Sequence, residues 1–153
     1  MTQQATRPKP HFSLVSKILP DDCERARSYF LSRLMFETDI ADLMFDLRKG
    51  NEDLVVIDTR SERSYAQCHI PGAINVGKFN EESVGRFSKE KVYVVYCWGP
   101  GCNGATNAAM KLSALGFHAK ELIGGLEYWR KESGAVEGTL GSDAPMYWNP
   151  EEE

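Results

Sequence analysis

The chain has 153 residues, of which 42% are hydrophobic and 26% charged, and its net charge is −4. That length and balance suit one globular domain with a sizeable core. It contains no lysine- or arginine-rich block and no apolar run long enough to span a membrane, which argues against nucleic acid and membrane as partners.

The N-terminal stretch MTQQATRPKPHF lacks the apolar core and cleavage site of a secretory signal, so the cytoplasm is the expected location. In that compartment Cys23, Cys68, Cys97 and Cys102 are expected to be reduced thiols rather than structural disulfides. No pair of them has C-x-x-C spacing, and no metal site is expected. Residues 1 to about 18 are polar and proline-punctuated and read as an arm. A helix is expected from Asp21, capped by Asp21 or Asp22, with Ala26, Tyr29, Phe30, Arg33 and Leu34 on one face. A second helix opens at Thr38 or Asp39, carries Ile40, Leu43, Met44 and Leu47 as its apolar stripe, and stops at Gly50. The aromatic residues of these helices are most simply core. An exposed stripe serving a homodimer is the alternative.

Leu54 to Ile57 reads as a buried strand with a polar exit at Asp58-Thr59-Arg60. A short helix from Ser61 to Gln67, capped by Ser61, comes next. The segment from His69 to Val76 contains turn residues followed by a brief strand, and residues 77 to 91 are polar and loop-like, with room for a helical turn near Val84 to Phe87. Val92 to Tyr96 is apolar, β-branched and aromatic, as a buried strand requires. Cys97 to Asn103 holds Gly99, Pro100 and Gly101 and must be a loop. From Gly104, the residues Ala105, Ala108, Ala109, Leu112 and Leu115 recur at helical spacing. Phe117 to Ile123 is a further strand, Gly124-Gly125 a tight turn, and Leu126 to Glu132 a short helix. From Gly134 the chain reads as a tail. Strands alternating with helices imply an α/β fold with a mainly parallel sheet, whose ligand crevice lies beyond the carboxyl ends of the strands. Cys97 and Asp58 both stand at such ends.

A cysteine between a strand and a helix start has chemical consequences. The first N–H groups of a helix lack internal partners and carry partial positive charge, so a thiolate there is favoured over a thiol. The competing reading makes Cys97 a small buried hydrophobe. Cys102, five residues on, is either a resolving thiol for Cys97 or a space-filling residue. Trp98 is either a wall of the pocket or packing.

Three segments make a resemblance specific. VVIDTRSERSYAQCHIPGAINV, residues 55 to 76, resembles the first signature of the rhodanese-like domain, an apolar strand with Asp-x-Arg followed by Gly-His-Ile-Pro-Gly-Ala-x-Asn. YVVYCWGPGCNGATNAAMKLSALGF resembles the family's catalytic strand, cysteine loop and helix, and IGGLEYWRKESGAVEG its closing segment. The resemblance covers residues 40 to about 138. It implies a rhodanese-like α/β fold, with a central mainly parallel sheet flanked by helices and an N-terminal helical extension. The expected division is 1–38 as arm and helix, 39–138 as the rhodanese-like domain and 139–153 as a C-terminal tail.

What the resemblance implies for chemistry is a sulfurtransferase. Cys97 would take a sulfane sulfur as a persulfide from a small-molecule or protein donor and pass it to a thiol or cyanide acceptor, with no metal or organic cofactor. Trp98, Gly99, Gly101, Cys102, Asn103 and Gly104 would form the substrate-binding loop. Asp58 and Arg60 would be a structural ion pair near the site, His69 a structural residue, and Trp129 with Gly124-Gly125 packing and turn residues. Three departures stand out. Cys68 replaces a glycine of the pattern and should be strained if that glycine serves a positive φ. The cysteine loop is one or two residues longer than the common form. The loop also has no cation, which disfavours thiosulfate as donor and phosphatase chemistry alike. A redox module using Cys97 with Cys102, and a non-catalytic interaction domain, are the other two readings.

Overall fold

A computed structural model of the protein describes residues 12–151, so the first eleven residues of the expected arm lie outside the described residues. The chain divides into two compact units, Met1–Ser32 and Arg33–Glu153. Helix α1 is Cys23–Phe36. The Asp22 carboxylate accepts from the Arg25 N–H, as the cap position predicts. None of the residues of α1 is buried, and Tyr29, Phe30 and Leu34 are all more than half exposed. The expectation that its aromatics are core is therefore corrected. Its apolar residues run as Tyr29-Phe30-Leu31 and Leu34-Met35-Phe36 and cover most of its circumference, so they make no one-sided core stripe.

The second unit is a five-stranded sheet, all parallel, in the order β1-β5-β4-β2-β3. The strands are β1 (Glu37–Thr38), β2 (Leu54–Asp58), β3 (Ile74–Asn75), β4 (Val92–Tyr96) and β5 (His118–Leu122). Two-residue β1 has no readable sequence signal, and it forms where the chain runs beside β5 before α2 (Ile40–Lys49). Asp39 caps α2 by accepting from the Asp42 N–H, and Gly50 ends it at φ +67°, a backbone conformation that glycine adopts without a Cβ penalty. Ser61 caps α3 (Glu62–Gln67). The remaining helices are α4 (Gly104–Ala114) and α5 (Gly125–Lys131).

Both faces of the sheet are covered, as a parallel sheet requires. On one face Ile40, Leu43, Leu126 and Trp129 pack over Val56, Val94 and Tyr96. On the other, Ala105, Ala108 and Leu112 of α4 pack with Phe117 over Ile57, Tyr93 and Val95. Successive strand residues point to opposite faces, so Cys97, two residues beyond Val95, joins the α4 side. Asp58 falls on the other side, in register with Tyr96.

The C-terminal segment is not a loose tail. Glu137 exchanges backbone hydrogen bonds with His69, and Thr139 N–H donates to Ala66 O. Arg130 donates to the carbonyls of Ser142, Ala144 and Pro145, and Ala144 is buried in the core. Glycine content suggests looseness, whereas these anchors are long-range and cannot be read from local composition.

Gly125 shows why the Gly124-Gly125 turn precedes α5. Its φ is +58°, and a Cβ there would lie 2.6 Å from Cys97 O and 3.0 Å from Gly99 N. Gly125→Ala should therefore lower stability by about 2–4 kcal/mol, read as a drop in the urea unfolding midpoint at unchanged m-value.

Candidate functional site: a cysteine loop at the sheet edge

The loop from Cys97 to Asn103 is anchored from behind. The Leu126 N–H donates to Cys97 O at 3.0 Å and the Glu127 N–H to Trp98 O at 2.9 Å. The unpaired N–H groups of the start of α5 thus satisfy loop carbonyls. Within the loop, the Cys102 N–H donates to Gly99 O at 3.0 Å. A Cβ at Gly104, the first residue of α4, would lie 2.9 Å from Cys97 Sγ and 3.5 Å from Cys102 Sγ. The positive end of α4 therefore abuts both sulfurs.

Cys97 Sγ and Cys102 Sγ are joined as a disulfide, with Cα atoms 6.3 Å apart. This corrects the expectation that all four cysteines are free thiols, while Cys23 and Cys68 are free. It also corrects the reading of Cys102 as a space-filling residue. The physical reason is the turn closed by the Cys102 N–H on Gly99 O, which folds the loop back and brings the two side chains within bonding reach.

In front of the disulfide lies a pocket of about 650 Å³, lined by Thr59, Arg60, Ser61, the loop residues, Glu127, Tyr147 and Trp148. A smaller cavity of about 190 Å³ behind the loop is also lined by Cys97 and Cys102, with Arg33 and Glu37 at its edge, paired at 2.8 Å. Among the described residues lining the front pocket, Arg60 is the cation, and its Nε and Nη2 donors are committed. It is 4% exposed and grips the Asp58 carboxylate through Nε and Nη2, the latter at 2.8 Å. Nη2 also donates to Ser64 O at 3.4 Å and to Cys68 O. The guanidinium lies 4.6 Å from the centre of the Trp98 ring. Arg60 thus ties β2 to the end of α3 and supports Trp98 as a pocket wall.

Residues 42–132 match the family described as the rhodanese-like domain. This chain belongs to that family. A crystal structure of the BH2092 protein from Bacillus halodurans is similar, with 53% identity and a TM-score of 0.83 over 86% of this chain and 97% of that one. A rhodanese-related protein from Thermoplasma volcanium shares 25% identity at a TM-score of 0.57, over 67% of this chain and 97% of its own. A tRNA sulfurtransferase from Pyrobaculum aerophilum is 35% identical over 78 residues, which are 50% of this chain and 16% of the relative. The chain thus spans about a sixth of that relative's length.

In this rhodanese-like domain Cys97, Trp98, Gly99, Gly101, Cys102 and Asn103 all line the pocket. Gly104 stands behind it as the first residue of α4. Asp58 and Cys97 share the sheet edge but point to opposite faces, and the Asp58 carboxylate accepts from Arg60. His69 stacks on Tyr65 with ring centres 3.9 Å apart, and its ring nitrogens meet Tyr65 O at 2.7 Å and Glu137 Oε1 at 3.2 Å. Cys68 has φ −163°, ordinary extended backbone, so the expected strain is absent. The thiol is buried in the core instead, and burial pushes its pKa up. Sequence reasoning missed Thr59, Ser61, Glu127, Tyr147 and Trp148. The first two directly follow β2 and fall under the strand-end rule. The tail aromatics were a signal, being apolar bulk in an otherwise polar stretch.

Two stability tests follow from this geometry. Asp58→Asn leaves the Arg60 charge buried without its counter-ion and should cost about 3–5 kcal/mol in urea unfolding. Burial likewise raises the pKa of Tyr65, Tyr93 and Tyr96. With Cys68, these groups are held neutral in the fold. Their contribution is fully present below the ordinary values of 9.0 and 10.0 and is lost as pH rises beyond them. The urea midpoint should fall between about pH 7 and about pH 10.5.

Proposed function

We propose that this protein is a sulfurtransferase that carries sulfane sulfur on Cys97 as a persulfide and delivers it to a thiol or to cyanide. The observation that carries this reading is the position of the Cys97 sulfur. It stands at the carboxyl end of the central strand and against the first residue of α4, and it lines an open pocket. Partial positive charge at the helix start favours the thiolate that attacks the donor and the persulfide anion that results. Membership of the rhodanese-like family supports the class, as does the Pyrobaculum relative, a tRNA sulfurtransferase by name. Transfer to a thiol breaks one sulfur–sulfur bond and forms another, transfer to cyanide breaks one and forms a carbon–sulfur bond, and neither needs a cofactor.

The pocket argues for the type of donor. Thiosulfate is a dianion and calls for a cation to hold its sulfonate end. Arg60 is turned inward to Asp58 and the α3 carbonyls, and Glu127 adds a carboxylate paired to Lys131 at 2.6 Å. A low-molecular-weight or protein persulfide, which reacts at its terminal sulfur, suits this wall better. A second reading, a thiol redox module, is favoured by one observation, the Cys97–Cys102 bond.

The test uses pre-reduced Cys102→Ser protein, in which Cys97 cannot close the internal disulfide, with cysteine persulfide as donor and cyanide as acceptor. Thiocyanate should form well above the rate of the donor alone. Cys97→Ser should lower the protein-dependent rate by at least about a thousandfold, because serine is not ionised at neutral pH. Thiosulfate should be at least about tenfold poorer than cysteine persulfide in kcat/KM. Thiocyanate formation that survives Cys97→Ser would sink the proposal.

A further inference from the structure

We infer that Cys102 discharges the Cys97 persulfide as hydrosulfide, so that this domain reduces sulfane sulfur to sulfide with its own pair of thiols. The inference rests on the persulfide chemistry proposed above for Cys97 and names the fate of the sulfur it carries.

The geometry points to it in two ways. First, the sulfurs of Cys97 and Cys102 are within bonding distance of one another, and both line the front pocket. A thiol so placed competes with any external acceptor at very high effective concentration. Second, the Gly104 backbone lies against both sulfurs, so the start of α4 favours the thiolate on either.

The step balances as follows. The Cys97 thiolate takes the terminal sulfur of a persulfide donor, giving Cys97–S–SH and the donor's thiolate. The Cys102 thiolate then attacks Cys97 Sγ. The Sγ–Sγ bond forms, the bond from Cys97 Sγ to the outer sulfur breaks, and the electron pair leaves with HS⁻. The sulfane sulfur gains two electrons, and the two cysteines lose them as they become the disulfide seen here. A second turnover needs a dithiol reductant to reopen that bond by exchange. The loop is built for such exchange. Cys97 and Trp98 are pinned to α5 by their carbonyls, while Gly101 is exposed with open space around its Cα. The Cys102 side of the loop therefore has room to move as the bond opens.

The experiment is a single turnover on the pre-reduced full chain, freed of reductant and given one equivalent of cysteine persulfide. Sulfide release and intact mass are followed together, with the Cys97→Ser protein as the measure of donor breakdown. Wild-type protein should release one equivalent of sulfide and end as the internal disulfide, lighter by two hydrogens. Cys102→Ser should instead retain one added sulfur and release sulfide at least about tenfold more slowly. Cys102→Ala serves as the second variant, and far-ultraviolet circular dichroism checks that both are folded. Wild-type protein that retains its added sulfur and releases no sulfide would overturn this inference while leaving the sulfurtransferase reading intact. If neither wild type nor the folded Cys102 variants gain sulfur or release sulfide, the fault lies with the persulfide reading itself.

Discussion

Two main-chain hydrogen bonds hold the site together, Leu126 N–H to Cys97 O and Glu127 N–H to Trp98 O. Each joins a donor that a helix start leaves unpaired to a loop carbonyl that would otherwise be orphaned. Leaving one such group buried and unsatisfied costs about 1–3 kcal/mol. The contact is possible only because Gly125 has no Cβ where Cys97 O passes. With the carbonyl of Cys97 fixed backward, strand alternation carries its side chain onto the α4 face. The Cys97 side chain, the start of α4 and Cys102 then meet at one place. The chemistry of the loop is thus a consequence of how α5 grips it.

The buried Asp58–Arg60 pair sets the electrostatics of the same pocket by withdrawing a charge from it. A buried ion pair is weak evidence of net stabilisation, since desolvating both groups offsets much of their attraction. What this pair does is geometric. It joins the end of β2 to the last turn of α3, and the guanidinium face supports Trp98. The pocket keeps an arginine in its wall with its Nε and Nη2 donors taken by Asp58 and by main-chain carbonyls. This pocket presents aromatic rings, a paired carboxylate and the start of α4.

The disulfide and the helix start act on the same atoms. A thiol whose anion is stabilised is both a better resident for sulfur and a better leaving group in exchange. Pairing Cys97 with a partner in one short loop also confines the redox change. The strands and helices that frame the loop need not move for the bond to open or close, because their hydrogen bonds run to Cys97 and Trp98 rather than to Cys102. Among the described residues no helix is long and apolar enough to cross a membrane, and no group of three or more acidic, histidine or cysteine side chains is placed to hold a metal.

Local signals were enough for much of this architecture. Asp39, Ser61 and Gly50 announce helix ends because caps act on backbone groups only a few residues away. The apolar run before Cys97 and the alanine-rich period after Gly104 specify strand, loop and helix for similar reasons. Together they place Cys97 at the carboxyl end of a strand. Other features depend on contacts between residues distant in the chain, and only the tertiary structure decided them. The closing segment is ordered by His69, Ala66 and Arg130, which its composition does not reveal. Cys68 needs no unusual backbone because α3 ends in extended geometry there. The side of the sheet that Asp58 faces, the inward turn of Arg60 and the joining of Cys97 to Cys102 follow from register and packing. Residue type and spacing determine which groups are available, whereas three-dimensional packing determines which of them meet.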